Sequence, residues 1–184
     1  MEDRDLDTAV EAAGRGEEWA ASLLYRAVQP LLLRYLGQKA PGHEQDLASE
    51  TWLAAAQSLP RFEGDFARFR ALLFTIARRR VVDHYRRQGR RPRAVVLEEE
   101  ADFADLRPGP EDLVEQMSAS EAVAALVGSL PEAQAEVILL RVLAGLSVEE
   151  AAQVMGRSAG SVRILQHRAL RRLAKKFQGE GVTR

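Results

Sequence analysis

Leu146-Ser147-Val148-Glu149-Glu150-Ala151-Ala152-Gln153-Val154-Met155-Gly156-Arg157-Ser158-Ala159-Gly160-Ser161-Val162-Arg163-Ile164-Leu165 is the stretch on which the fold turns. Ser147 and Glu150 form a capping box, in which a serine hydroxyl and a glutamate three residues on satisfy amides that a first helical turn leaves open. Small Ala152 lets a second helix approach the first, Gly156 can take the positive φ of a tight turn, and Ser158 can cap the helix that follows. The spacing predicts a helix-turn-helix within Leu146–Leu173. Projected at about 100° per residue, Val162, Leu165, Ala169 and Leu173 face inward, which leaves Gly160, Arg163, Ile164, His167, Arg168 and Arg171 on the remaining surface. Such a set suits a major groove, with Gly160 and Ser161 allowing close backbone approach at the helix start. An ordinary helical hairpin with a basic surface has the same periodicity; turn spacing and charge agree on DNA.

Upstream, two further capping boxes, Ser118…Glu121 and Ser129…Glu132 with Pro131 inside, predict helix starts, so the C-terminal unit reads as four helices. Gly89 to about Ser118 shows no sustained period and contains Pro92, Pro108 and Pro110. It reads as a linker, giving a domain over residues 1–93, an acidic flexible linker over 94–117 and a second domain over 118–184.

The charge follows these divisions, although the net value is only −1. Ala67 to Arg93 holds ten arginines and the single acid Asp83; Ala94 to Ser118 holds eight acids and the single Arg107. Arg157 to Lys176 has five arginines, two lysines and no acid. Two arginine-rich helices separated by an acidic spacer predict two nucleic-acid contacts made by one chain, because such faces neutralise phosphates.

The N-terminal half reads as helical too. Asp7 to Ala13 is a short first helix, and Glu17 to Leu36 places Trp19, Leu23, Ala27, Leu31 and Tyr35 at spacings of four, with Pro30 as a kink or break. A third helix runs from about Glu44 to Leu59. A long one runs from Phe66 to about Gln88, with the apolar stripe Phe66, Phe69, Leu73, Ile76 and Ala77 in its first half and a basic second half. On that helix Arg79, Val82, Asp83 and Arg86 share one face. Asp83 lies four residues from both Arg79 and Arg87, the spacing of an intrahelical salt bridge.

Composition points the same way: 184 residues, 46% hydrophobic but only 6% aromatic, rich in the straight-chain residues that lose little freedom in a helix. The fold class expected is all-α, two small helical domains. With no cysteine, disulfides and thiolate metal sites are excluded, and His43, His84 and His167 show no metal-type spacing, so no metal or cofactor is expected. No phosphate-cradling glycine loop or serine elbow occurs, so an enzyme is not expected. The acidic Met1–Asp7 is unlike a signal peptide and no apolar run has membrane-spanning length, which leads to a cytoplasmic chain without membrane insertion.

The whole chain, roughly Asp7 to Phe177, resembles the extracytoplasmic-function (ECF) sigma factors of bacterial RNA polymerase. The C-terminal half is similar to region 4 of that family at Leu130-Pro131-Glu132, Val137-Ile138-Leu139-Leu140-Arg141, Gly145-Leu146-Ser147-Val148-Glu149-Glu150-Ala151-Ala152, Gly156-Arg157-Ser158 and Gln166-His167-Arg168-Ala169-Leu170. The N-terminal half is similar to region 2 at Asp46-Leu47-Ala48-Ser49-Glu50-Thr51-Trp52-Leu53, Leu59-Pro60-Arg61-Phe62, Phe69 through Arg78, and Asp83 through Arg87.

The resemblance implies a protein that binds core RNA polymerase, reads the −10 and −35 elements of promoter DNA and is sequestered by an anti-sigma factor. Core binding would map to Asp46, Leu47, Glu50 and Trp52, although Leu47 and Trp52 also fit a core. Ser49 stands where many relatives carry glutamine, and Arg79 where they carry asparagine. The −10 element would be opened and held by Phe62 (equally suited to a core), Gly64, Asp65, Arg78, Arg79, Val82, Arg86 and Arg87. The −35 element would meet Ser158, Gly160, Ser161, Arg163, Ile164, His167, Arg168 and Arg171. Glu98-Glu99-Glu100, Asp102 and Asp105 would either suit a path lined for polyanions or hold the linker off its own basic helices. The competing reading is a conventional helix-turn-helix regulator that binds a palindromic operator as a dimer, whereas a sigma factor is expected to be a monomer when free.

Overall fold

The structure, a computed structural model, describes residues 3–89 and 119–180. Its first unit contains α1 (Asp3–Gly14), α2 (Glu18–Lys39), α3 (Glu44–Ser58), a 3-10 turn (Leu59–Arg61) and α4 (Phe66–Arg87). Its second contains α5 (Ala119–Gly128), α6 (Glu132–Ile138), α7 (Val148–Met155) and α8 (Ala159–Glu180). Between α6 and α7, Leu139–Leu143 forms a π-type turn. No strand occurs among the described residues. The fold is all-α in two helical units, as composition and periodicity predict. The linker over 94–117 and the Ser118 half of the first capping box lie outside the described residues.

In the first unit, α2 is the central helix, and it buries Ala20, Leu24, Val28, Leu32, Tyr35 and Leu36. The expected stripe is correct at Tyr35 and wrong at Trp19, which is 52% exposed. A line of exact fours lags about 40° per step, so over sixteen residues it winds nearly to the other side of the helix. Trp19 instead donates its indole N–H to Glu17 Oε2 at 2.7 Å. Pro30 does not break the helix, which continues to Lys39. Pro30 and Arg26, whose carbonyl the proline leaves without its helical donor, are both exposed, so water can satisfy that oxygen.

Against α2 lies α4, which buries Phe66, Phe69, Ala71, Leu73, Phe74, Ala77 and Val81. Phe74 widens the predicted stripe and Val81 extends it into the basic half, and Phe74 meets Tyr35 edge-to-face with centroids 5.5 Å apart. The helix begins where predicted because Asp65 caps it, accepting from the Arg68 amide at 2.8 Å. A second carboxylate, Asp7 of α1, accepts from the Phe66 amide at 2.8 Å and ties the first helix to this start.

In the second unit the capping box at Ser147 and Glu150 is complete in both directions. The one proposed at Ser129 and Glu132 does not form. Pro131 occupies the N-cap position of α6 without a side-chain bond, and the Ser129 hydroxyl turns back to the Leu126 carbonyl at 2.7 Å. With proline preset at this position, the serine lies two residues too far upstream to cap the helix. Gly156 ends α7 at φ 65° and ψ 36°, the left-handed conformation the turn requires. Ser158 Oγ then accepts from the Ser161 amide at 3.2 Å, opening α8.

Candidate nucleic-acid interfaces

The turn from α7 to α8 fixes what the last helix presents. Val162 and Ala169 are fully buried on its inner side, with Leu165 and Leu173 half-buried beside them. Gly160, Arg163, Ile164, His167, Arg168 and Arg171 are exposed together, with Ser158 exposed at the helix start and Ser161 half-buried. Every apolar position assigned inward and every polar position assigned outward therefore sits on its expected side. Arg163 is held by Glu149 of α7 at 2.9 Å, and both side chains are more than half exposed. Such a pair contributes about 1 kcal/mol or less and yields readily to a stronger anion.

A second basic surface lies on α4. Arg79, Arg86 and Arg87 are exposed and Val82 is half-buried. Asp83 pairs with Arg86 at 3.8 Å, not with the residues four away as expected. Arg87 donates to the Asp83 backbone carbonyl at 3.4 Å, and its guanidinium also approaches Glu50 at 3.7 Å, where Arg80 stands at 3.8 Å. Arg78 differs from the others: its Nε lies 3.7 Å from the buried Glu136 of α6.

Below α4's first turn is a cleft of about 500 Å³, lined by Asp7, Glu11, Phe62, Glu63, Gly64 and Asp65 among others. That volume falls in the range of small-ligand sites. Phe62 is half-buried, edge-to-face with Phe69 at 6.2 Å, and so serves the core with one side and the cleft with the other. A Cβ at Gly64 would lie 2.9 Å from Arg68 Cδ and 3.1 Å from Phe62 Cζ, so a larger residue there requires one of those side chains to shift. Asp7 and Glu11 of α1 were missed by sequence reasoning. Only the fold brings α1 to this loop.

On α3 the four expected contact residues separate. Asp46 is exposed and Glu50 half-exposed, but Leu47 is 2% exposed and belongs to the core. Trp52 is half-buried, its indole N–H donating to Gln29 Oε1 at 2.7 Å and its ring 5.2 Å from Tyr25. Leu53, not singled out from the sequence, is 64% exposed and shares the Asp46, Ser49 and Glu50 face by its spacing. An i, i+3, i+4, i+7 count from Asp46 would have found it.

The units meet through charge. Arg70 of α4 holds Glu150 of α7 with two bonds, 2.9 Å and 2.8 Å, and also donates to the Gly145 carbonyl at 3.2 Å. Burial by itself pushes the Glu150 carboxyl up, but hydrogen bonds from Arg70 and Ser147 outweigh it and hold it below the usual glutamate range. Burial, then the neighbouring Glu136 charge, raise the Tyr35 phenol well above its ordinary value, so it stays protonated and donates to Glu136 at 2.7 Å.

Because the Glu150 carboxyl is depressed on folding, its contribution is fully present above the unfolded value and is lost as pH falls through the folded one. At neutral pH, Glu150→Gln is expected to be about 2 kcal/mol less stable than the parent. That gap closes as the pH is lowered beneath the ordinary glutamate range. Urea denaturation of both chains across pH 3–7 checks it.

Among the described residues, no group of three or more His, Asp or Glu could hold a metal ion, although the fold does bring the His43 and His84 rings to 4.3 Å. No helix among the described residues is long and apolar enough to cross a membrane.

A two-unit helical protein with a helix-turn-helix in one unit, and an arginine-lined helix above a ligand-sized cleft in the other, is a DNA-reading transcription protein. The model of Sigma-70 region 2 matches residues 24–91, and that of Sigma-70, region 4 matches residues 120–173. The chain is 38% identical to the ECF RNA polymerase sigma factor ShbA of Streptomyces griseus, over 91% of this chain and 93% of that one. Its fold is similar to CnrH in complex with the cytosolic domain of CnrY (TM-score 0.69, 25% identity, 95% of this chain and 98% of that one). It is also similar to RpoE in complex with the anti-sigma factor NepR from Bartonella quintana (TM-score 0.60, 25% identity, 87% of this chain and 96% of that one). The chain belongs to the ECF sigma-factor family, whose members direct promoter-specific initiation by RNA polymerase. The dimeric regulator is not favoured.

Proposed function

We propose that α8 reads the −35 element through Ser158, Gly160, Ser161, Arg163, Ile164, His167, Arg168 and Arg171, and that α4 and its preceding loop open and hold the −10 element. The observation that carries this reading is the joint exposure of Gly160, Arg163, Ile164, His167, Arg168 and Arg171 on a helix whose opposite side is buried. Arg79, Val82, Arg86 and Arg87 follow the duplex edge, and a base leaving the stack enters the cleft beside Phe62, Gly64 and Asp65. The carboxylates of Asp7, Glu11, Glu63 and Asp65 add hydrogen-bond acceptors for a base that carries an amino group.

Core polymerase docks on the α3 face that presents Asp46, Glu50 and exposed Leu53, with Trp52 at its margin. Leu47 acts from below as core. The chain works in the cytoplasm as a non-enzymatic subunit, monomeric when free, and an anti-sigma factor sequesters it, as the neighbouring complex of RpoE with NepR supports. The domains span 1–93 and 118–184, and the acidic linker over 94–117 joins them.

Arg163→Ala tests the −35 assignment. One lost base-edge contact is worth about 1–3 kcal/mol, so run-off from a promoter that depends on its −35 element falls roughly tenfold. Unchanged run-off across all promoters overturns the assignment of Arg163.

A further inference from the structure

Two imidazoles have no part in the proposed DNA and docking contacts. His43 and His84 stand far apart in the chain, yet the packing of α3 on α4 brings their rings to 4.3 Å between centroids. The backbone beneath each is fixed. His43 occupies the N-cap position of α3, its amide donating to the Ala40 carbonyl at 3.1 Å and its carbonyl accepting from the Leu47 amide at 3.0 Å. Its side chain makes no cap bond, so the ring does not serve the helix it opens. His84 lies in the last turn of α4. There the neighbouring Tyr85 donates its hydroxyl to the Lys39 carbonyl at 2.9 Å, tying that turn to the end of α2 just before the loop that carries His43. His43 is exposed and His84 half-buried, so both are open to solvent.

The rings are not stacked; their planes are tilted by 52°. Gln88 Nε2 lies 3.0 Å from His84 Nε2. With an amide N–H donating there, His84 Nε2 carries the lone pair, the form in which a neutral imidazole ligates a metal. On one tetrahedral ion with nitrogen bonds of about 2.0–2.1 Å, two imidazole centroids stand roughly 5 Å apart, so an outward swing of about 1 Å by the exposed His43 ring suffices. Gln88 is exposed and free to turn aside. The cations near His84 along α4 already face carboxylates. Arg80 and Arg87 approach Glu50 at 3.8 Å and 3.7 Å, and Arg86 approaches Asp83 at 3.8 Å.

We propose that His43 and His84 form a two-imidazole site for a divalent transition metal such as Zn2+, which clips the start of α3 to the end of α4. Imidazole nitrogen suits Zn2+, Ni2+ or Cu2+, whereas Mg2+ and Ca2+ take oxygen ligands. Among the described residues no third His, Asp or Glu joins the pair. Water therefore completes the coordination, and the ion exchanges with solvent instead of building the fold. Because the two ligands come from separate helices, the ion binds the folded unit better than the unfolded chain and stabilises it. The site stands whether or not the promoter assignments do.

The chain has three histidines and no cysteine, so its imidazole NMR spectrum is simple. Titrating the full chain with Zn2+ in a non-coordinating buffer is expected to move the His43 and His84 signals together, with one saturating midpoint, and to leave His167 in place. The thermal unfolding midpoint rises over the same Zn2+ range, and Mg2+ produces neither change. His43→Asn removes one ligand while placing a favoured residue at the N-cap, so α3 is kept and Zn2+ affinity falls about tenfold or more. His84→Gln gives the same loss from the other helix, and His167→Gln alters neither readout. Far-UV circular dichroism verifies the helices; should His84→Gln lose them, His43→Asn with the parent titration carries the test. The site is overturned if Zn2+ moves only one of the two rings, if no saturation is reached, or if folded His43→Asn binds as tightly as the parent.

Discussion

A chain carrying Arg79→Ala and Arg86→Ala together is expected to transcribe on the order of 100-fold less than the parent while still co-eluting with core polymerase. Each lost contact costs about 1–3 kcal/mol, so two in concert reach this range. Both side chains are exposed on α4, and among the described residues the ion pair disturbed is the solvent-facing one between Arg86 and Asp83. Surface pairs of that kind contribute less than about 1 kcal/mol, so the fold survives. Core binding is expected to survive, because the residues proposed to carry it, Asp46, Glu50 and Leu53, lie on α3. Titrating salt adds a second readout: losing two phosphate partners flattens the logarithmic salt slope of promoter binding by about 2. Parent-like transcription from the double variant would remove α4 from the −10 interface.

The second large effect separates stability from recognition on a single helix. Val162→Asp puts a carboxylate where the side chain is fully buried on the inner side of α8. An unpaired buried charge costs several kcal/mol, a large part of the 5–15 kcal/mol that typically holds a domain together. Region 4 is expected to lose cooperative unfolding, seen as a missing transition in thermal denaturation, and transcription falls to background. Ile164→Asp, two residues further along and 54% exposed, keeps the melting curve and weakens only DNA binding, because it sets a negative charge against phosphate. Equal melting of the two variants contradicts the orientation of α8.

Much of this is legible in the sequence. The Ser147 box, the left-handed Gly156 and the inward line through Val162 and Ala169 are local, and each depends on contacts within one turn or one hairpin. The α4 cap at Asp65 is short-range too, though the sequence reading used Asp65 only as a loop contact. What the sequence hid was set by partners distant in the chain. Trp19 looked apolar enough to be core until Glu17 took its indole N–H. Nothing in the local sequence marks Glu136, whose partners Tyr35 and Lys39 stand 101 and 97 residues away. Asp7 and Glu11 reach the cleft only because α1 packs near the start of α4. The Ser129 box failed for a local reason that was present in the sequence: Pro131, two residues on, had already taken the cap position.

The most direct test of the central claim is run-off transcription with the purified full chain and bacterial core polymerase, paired with co-elution of the two. A stoichiometric complex is expected, with transcripts from a defined start on templates carrying both promoter elements and none from core polymerase alone. The claim is contradicted if the chain fails to bind core polymerase and instead binds a palindromic duplex tightly by itself as a dimer.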